Sequence, residues 1–366
     1  MTEKKYAELL LDYCLEIKSG QSLFIRSTLL AEPLIREIYR EGIKRGANIV
    51  VDMAFSEQGK IFMDHANDEQ LAFVQPNFIE AMETYDAYLF IKAHFNLRAD
   101  QNIDGEKRKR RSEFLKKYND IYFERTGSGD MVRSLCLYPT QASAQEAGMS
   151  LEEYRDFVFK ACKLDAENPA EEWRKVRKNQ QAIVDFLNAS SRIKYVNDRT
   201  DISFSVEGRT WINSDGRTNM PSGEVFTGPV EESVSGQVYF NYPSIYQGKE
   251  VRGITLHVEN GVVVSWDADQ GKEVLDQVMS HDGARMFGEV AIGTNYKIQQ
   301  ATKNILFDEK IGGTIHMAIG QSYKQTGGKN NSSIHWDMIT DMKNGGKIYA
   351  DDELIYENGY FINYKL

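Results

Sequence analysis

The chain has 366 residues, with 44 Lys and Arg against 54 Asp and Glu, which gives a formal net charge of −10. This length is typical of about two domains, and the 41% hydrophobic content is that of an ordinary globular protein. The acidic balance argues against nucleic acid as the main partner, because binding phosphates requires clustered positive charge.

Neither a membrane span nor a disulfide scaffold is indicated. No apolar run approaches the ~20 residues that cross a bilayer, and the N-terminal residues lack the apolar core of a signal peptide. The cysteines Cys14, Cys136 and Cys162 are far apart and form no CxxC pair. We therefore expect a cytoplasmic protein with no membrane partner.

The first half of the sequence alternates helical and strand patterns. The spacing of apolar residues predicts helices over 3–17 and 32–45, and short apolar runs predict strands over 22–25, 48–52 and 87–91. Strands separated by helices are typical of parallel βαβ units. No GxGxxG motif follows the first strand, so this Rossmann-like sheet is predicted to be a scaffold and not a dinucleotide site.

A basic run, Lys107–Arg111, interrupts the acidic composition. It lies in a polar stretch predicted to be helical and is flanked by Asp104, Glu106 and Glu113. These acidic neighbours favour a solvated helix face over a nucleic-acid patch.

The character of the sequence changes near residue 190. Ser150 and Glu153 form a capping-box pattern that opens one helix, and Pro169 is placed to begin another that ends near Asn188. From Arg192 onward, short alternating runs broken by Gly, Asn and Asp predict antiparallel strands, with one helix near 271–279. The predicted fold class is α/β, with an N-terminal α/β domain over 1–190 and a C-terminal mixed α+β metal-site domain over 191–366.

Candidate chemistry concentrates in the last quarter. His316 lies in one predicted strand, while His335 and Asp337 lie in another and project from the same face, because side chains alternate with a period of two. An imidazole and a carboxylate so placed can bind a divalent cation. The alternative for an isolated HxD is a buried hydrogen bond between the two side chains.

Three further segments place a carboxylate among glycine or apolar residues. They contain Glu224, Glu289 and Asp308-Glu309, and a carboxylate in an apolar run is costly to bury unless it is paired or metal-bound. Together with the histidines they suit a two-cation site that activates water and polarises a carbonyl. Tyr323 is a candidate proton donor or oxyanion stabiliser. Periodicity does not show that these segments meet in space.

At these residues the sequence resembles the thermophilic aminopeptidase T-type metallopeptidases, which include PepS-like enzymes. The likeness lies in the order and spacing of short strings along much of the chain. These are Pro139-Thr140, 144–150, the helix of Trp173, 223–227, 288–290, Asp308-Glu309, His316, Tyr323 and 333–337.

The resemblance implies a two-cation exopeptidase that removes N-terminal residues from peptides. It places Glu224, Glu289, His316, His335 and Asp337 on metal-binding positions, with Glu309 as a further ligand, Glu289 as the bridging or catalytic carboxylate and Tyr323 as the catalytic tyrosine. It also implies a homodimer and two divalent ions, which are zinc, cobalt or magnesium. The segment between Glu309 and His316 is longer here than in the best-known members.

Other interpretations of the sequence stay open. One is a metal-dependent hydrolase acting on other amides or esters, since a fold does not fix a substrate. A second is a non-catalytic α/β binding protein whose acidic and histidine residues are structural. A third is a nucleic-acid-binding protein that uses Lys107–Arg111, which would bind with a steep salt dependence.

Overall fold

A computed structural model describes residues 2–364 of the chain. The chain divides into two compact units, one formed by Met1–Glu172 with Gly216–Pro221 and the other by Trp173–Asp215 with Ser222–Leu366. The domains predicted over 1–190 and 191–366 stay a prediction. In the described range no helix is both long and apolar enough to cross a membrane.

The helices lie mainly in the first unit. In chain order they are α1 (Thr2–Leu9), α2 (Glu32–Lys44), α3 (Gln58–His65), α4 (Asp68–Ala72), α5 (Pro76–Thr84), α6 (Gly105–Ser128), α7 (Gln141–Glu146), α8 (Leu151–Ala161), α9 (Pro169–Asn188), α10 (Lys272–Val278) and α11 (Ile305–Asp308). The helix predicted over 3–17 is α1 continued by a π-helical turn at Leu10–Cys14.

The strands lie mainly in the second unit. In chain order they are β1 (Ser22–Thr28), β2 (Asn48–Ala54), β3 (Ala87–Lys92), β4 (Val132–Leu137), β5 (Arg192–Val196), β6 (Asp201–Ser205), β7 (Ile212–Ser214), β8 (Asn219–Met220), β9 (Glu224–Thr227), β10 (Ser235–Phe240), β11 (Ser244–Tyr246), β12 (Lys249–Val251), β13 (Ile254–Glu259), β14 (Val262–Asp267), β15 (Phe287–Gly293), β16 (Thr314–Gly320), β17 (His335–Asp341), β18 (Lys347–Ala350), β19 (Glu353–Glu357) and β20 (Tyr360–Phe361).

The first unit is built on a parallel sheet. Its strand order is β2-β1-β3-β4-β8, and every neighbouring pair runs parallel. Helices α2 and α5–α6 connect successive strands, as the alternating pattern predicted. The capping box predicted at Ser150 and Glu153 is present, because each side chain bonds the backbone N–H of the other at the start of α8.

The basic run lies in α6, where it has an intramolecular role. Lys107 donates from Nζ to the carbonyls of Met63 and Asp64 at 3.0 and 3.1 Å, at the end of α3. Arg111 donates to the carbonyls of Leu71 and Phe73, both at 2.8 Å, at the end of α4. A cation at a helix C-terminus satisfies carbonyls that have no partner within the helix. The helix face predicted to be solvated is exposed at Arg108, Lys109 and Arg110.

The second unit contains two larger antiparallel sheets that contribute to one hydrophobic core. One has eight strands in the order β14-β13-β10-β6-β5-β18-β19-β20, and the other has five in the order β17-β16-β15-β9-β7. Buried side chains of both sheets, among them Tyr195, Phe204, Val290 and Met317, belong to the same core cluster. The α/β fold class predicted from the sequence is confirmed.

Candidate metal centre

The five-stranded sheet of the second unit holds five of the six ligands predicted from the sequence, and the sixth, Glu309, directly follows α11. His335 and Asp337 are on β17, His316 on β16, Glu289 on β15 and Glu224 on β9. These four strands are consecutive neighbours in the sheet. Segments separated by up to about a hundred residues in the sequence are therefore brought together by antiparallel pairing.

The register of the strands puts all five side chains on one face. Asp337 pairs with Ala318, which in turn pairs with Glu289, and Glu224 pairs with Gly293. Directly paired residues project from the same side of a sheet. The intervening residues project into the hydrophobic core, and they are Val225, Val290, Ile292, Ile315, Met317, Ile319, Trp336 and Met338. One face of the sheet thus packs the core while the other carries the polar cluster.

The side chains of this cluster face each other at short range. His316 Nε2 lies 3.5 Å from Glu224 Oε2 and 3.5 Å from Glu289 Oε1. His335 Nε2 lies 3.3 Å from Glu289 Oε2 and 3.6 Å from Asp337 Oδ2. The ligand atoms of two groups, Glu224–Glu309–His316 and Glu289–His316–Asp337, all lie within 4.8 Å of one another.

The donor set fits divalent cations. Within residues 2–364, four buried atoms of the cluster have no hydrogen-bond partner: Glu224 Oε2, both ring nitrogens of His316, and Asp337 Oδ1. Burying such atoms without a partner costs about 1–3 kcal/mol each. Imidazole nitrogens and carboxylate oxygens are the donors that zinc and related cations prefer, so a bound cation would satisfy atoms that the protein itself leaves unpaired.

The ring orientation of His335 is fixed from outside the cluster. Its Nδ1 lies 2.8 Å from the carbonyl oxygen of Gln321. Because a carbonyl can only accept, Nδ1 carries the hydrogen, and in the neutral ring the lone pair is on Nε2, toward Glu289 and Asp337. Metal-binding histidines are commonly oriented by such a second bond.

Burial and mutual charge shift the pKa values of the cluster. Burial alone would raise the pKa of Glu289, but His316 and His335 lower it to about 2. Burial opposes protonation of the two imidazoles, yet the neighbouring carboxylates raise the pKa of His316 to about 9 and of His335 to about 10. Burial also raises the pKa of Glu224 to about 7. Cation binding at neutral pH therefore competes with protons held on these imidazoles.

A buried lysine adjoins the cluster, and sequence reasoning missed it. Lys310 is fully buried, and its Nζ lies 3.1 Å from Glu224 Oε1 and also pairs with Glu309. Lys310 thus holds one oxygen of Glu224 and leaves Oε2 facing His316. In the sequence it follows Asp308-Glu309 and precedes Ile311-Gly312-Gly313, and charged residues next to glycines usually indicate an exposed loop.

Tyr323 borders the cluster on the more exposed side. Its ring packs edge-on against His335 and Phe226, with centroids 5.1 and 5.7 Å apart. Burial, followed by the negative charges of Glu289 and Asp337, raises the pKa of Tyr323 far above its usual value. The phenol is consequently a hydrogen-bond donor at neutral pH. Its position at the rim leaves it accessible to a ligand entering the cluster.

Comparisons with known proteins show what the chain as a whole is similar to. A family model described as thermophilic metalloprotease (M29) matches residues 2–361. Aminopeptidase 2 from Geobacillus stearothermophilus is 28% identical, over 87% of this chain and 83% of the relative. Aminopeptidase AmpS from Bacillus subtilis is 25% identical, over 97% of each chain. The solved structure of wild-type AmpT from Thermus thermophilus has the same fold, with a TM-score of 0.83 and 23% identity over 99% of both chains.

Proposed function

This chain belongs to the thermophilic metalloprotease (M29) family and is a metal-dependent aminopeptidase, and we propose that it works with two divalent cations held on one face of the five-stranded sheet. Its substrates are peptides, from which it removes the N-terminal residue. The proposed ligands are Glu224, Glu289, Glu309, His316, His335 and Asp337.

The observation that carries this proposal is the placement of Glu289 between two imidazoles. One carboxylate oxygen faces His316 and the other faces His335. A carboxylate with its two oxygens turned to different ligand groups is suited to bridging two cations. Glu224 and Glu309 would complete the His316 side, while Asp337 lies with His335 on the other.

The cation pair, when bound, would polarise the scissile carbonyl and lower the pKa of a water molecule. The protein groups supply the remaining chemistry. Glu289 takes up or positions the proton released as water attacks, and the Tyr323 hydroxyl donates to the oxyanion that develops on the carbonyl oxygen. The raised pKa of Tyr323 keeps that hydroxyl protonated for donation.

The donors favour some of the expected ions over others. Two imidazoles beside four carboxylates suit zinc or cobalt better than magnesium, which prefers an all-oxygen shell that keeps several waters. As expected from the sequence, we also propose that the enzyme is a cytoplasmic homodimer and that it has no nucleic-acid partner.

The experiment that tests the function is hydrolysis of a panel of aminoacyl-chromophore substrates. Each substrate is assayed with the enzyme as purified, after chelation, and after zinc, cobalt or magnesium is added back. We expect activity to disappear on chelation, to return with metal, and to be blocked when the substrate amine is acetylated. Equal hydrolysis of acetylated substrates would instead indicate a different amide or ester hydrolase.

Glu289→Gln tests the central carboxylate. The variant keeps the shape of the side chain but loses its charge and basicity, so we expect turnover to fall by about 10²–10⁴-fold. Circular dichroism and metal analysis accompany the assay. Glu259→Gln, on an exposed carboxylate of β13, is the matched control and should behave as wild type. Near wild-type turnover of Glu289→Gln would contradict the proposed role.

A further inference from the structure

We propose that Glu231, paired with Arg209, is a positioning residue that fixes the loop carrying Tyr323; the inference rests on the function proposed above. The Tyr323 loop is defined as residues 321–334, between β16 and β17. Neither Glu231 nor Arg209 belongs to the ligand set. Their effect on the reaction would be transmitted through the backbone of this loop.

The Tyr323 loop has little apolar surface to hold it in place. Most of its residues are polar or glycine, and its regular structure is one short 3-10 turn at Lys324–Thr326. Gly327 ends that turn with a φ of +85°, a conformation that favours glycine. A loop of this composition depends on specific hydrogen bonds for a single conformation.

Glu231 supplies one anchor at the far side of the loop. Its Oε1 accepts a hydrogen bond from the backbone N–H of Lys329 at 2.6 Å. Its Oε2 pairs with Arg209, and both side chains of the pair are 5% exposed. Desolvating two charges is expensive. Apolar residues of similar size could therefore replace a buried pair that only stabilised the fold, with little loss of stability. The hydrogen bond to Lys329 gives this buried pair a second role, which is to hold the backbone of the Tyr323 loop in position.

The residue after Arg209 supplies a second anchor. Thr210 donates its backbone N–H to the carbonyl of Thr326 at 3.0 Å. The carbonyl of Thr210 accepts from the hydroxyl of Thr227 at 2.9 Å, and Thr227 is the last residue of β9, the strand that begins with Glu224. The Arg209–Thr210 segment therefore ties the Tyr323 loop to a strand of the candidate site.

The anchored backbone sets the position of the phenol. Thr326 donates to the carbonyl of Tyr323 from its backbone N–H at 3.0 Å and from its hydroxyl at 2.7 Å. Ser322, on the other side, donates its N–H to the carbonyl of Asn330 at 2.9 Å and closes the loop. A shift of about 1 Å in a group that stabilises a transition state can cost about 100-fold in rate.

The test is a double-mutant cycle between this pair and Tyr323. Replacing both Arg209 and Glu231 with Leu removes the two charges together, which buried pairs tolerate better than the loss of one partner. We expect kcat to fall about 100-fold, as for Tyr323→Phe, with KM and bound metal nearly unchanged. Adding Tyr323→Phe to the leucine pair should lower kcat by less than about a further threefold, because each change removes the same interaction.

Limited proteolysis gives a readout that does not depend on activity. Lys324 and Lys329 are trypsin sites inside the Tyr323 loop, and the leucine pair should be cut there faster than the wild type. Lys347→Met with Glu357→Met, a paired change on the eight-stranded sheet, is the control and should alter neither kcat nor cleavage. If the leucine pair does not fold, Glu231→Asp, which shortens the arm but keeps the charge, should show the same two effects.

Multiplicative losses in the cycle, or a wild-type kcat in the leucine pair, would overturn the inference. Full activity of Tyr323→Phe would overturn it as well, together with the role assigned to Tyr323. The aminopeptidase function is decided separately, by chelation and by the acetylated substrates.

Discussion

At the scale of single residues, Lys310 is a fixed positive charge inside the second unit. Its ammonium is fully buried between Glu224 and Glu309, whose charges raise its pKa above the usual value despite the opposing effect of burial. The lysine therefore stays charged and places a permanent positive charge beside the candidate ligands Glu224 and Glu309.

Replacing Lys310 with Met leaves two carboxylates without their buried partner. Removing one member of a buried pair costs about 3–5 kcal/mol, so we expect Lys310→Met to lower the free energy of unfolding by about that amount in the presence of a chelator. Urea unfolding followed by tryptophan fluorescence measures it. Lys303→Met, which breaks a 2.9 Å pair with Glu250 at a partly exposed site, should cost less than about 1 kcal/mol. Equal losses would show that burial of Lys310 adds nothing.

Single residues also show where sequence reasoning stops. The period-two rule placed His335 and Asp337 on one face, and the structure brings His335 Nε2 within 3.6 Å of Asp337. The same rule carries no information about the pairing of Lys310 with Glu224 or of Glu231 with Arg209, because these partners come from segments whose approach depends on the assembled sheet. A charged residue in a loop has the same local pattern whether it is solvated or buried.

At the scale of elements, strands and helices follow from periodicity, whereas the pairing of strands does not. The predicted strands around His316 and His335 are confirmed as β16 and β17, as are the helix of Glu32–Lys44 and the capping box of α8. The insertion of β9 beside β15 could not be predicted, because it joins residues more than sixty positions apart in the sequence. The register between strands that are distant in the sequence depends on the hydrophobic core that they share, and no short stretch of the sequence contains that information.

Asp86 ties the starts of two parallel strands and gives a prediction about pH. Its Oδ2 accepts from the backbone N–H and the hydroxyl of Ser22, at 2.7 and 2.8 Å, and these bonds, the backbone bond first, lower the pKa of Asp86. Because the folded pKa is lowered, the stabilisation is present above the unfolded value of about 3.9 and is lost as the pH falls through the folded value.

We therefore expect Asp86→Asn to lower the free energy of unfolding by about 1–2 kcal/mol at neutral pH. The difference from wild type should shrink once the pH falls below about 4. Urea titrations followed by far-ultraviolet circular dichroism, at neutral and acidic pH, measure both values. Asp120→Asn, at an exposed position of α6, is the control. A difference that did not depend on pH would mean that the charge of Asp86 is not what stabilises the strands.

At the scale of the whole molecule, the two units differ in composition as well as in fold. Helices α1–α8 lie in the first unit, and the ligands of the candidate site lie in the second. The tryptophans are distributed in the same uneven way, because Trp173, Trp211, Trp266 and Trp336 all belong to the second unit. Tryptophan fluorescence thus reports on the unit with the candidate metal centre, while the helical circular dichroism signal reports mainly on the other.

This distribution allows the effect of metal to be assigned to one unit. A ligand that binds only the folded form stabilises it by about 2.7 kcal/mol at a hundred times its Kd, so chelation should lower the urea midpoint of the fluorescence transition and move the circular dichroism transition less. Asp337→Asn, which removes one candidate ligand, should reduce the chelator effect on fluorescence. Identical shifts in both signals would mean that the units unfold in one cooperative step. No shift in either signal would contradict a metal centre in the second unit, since the buried unpaired atoms of Glu224, His316 and Asp337 would then gain nothing from the added cation.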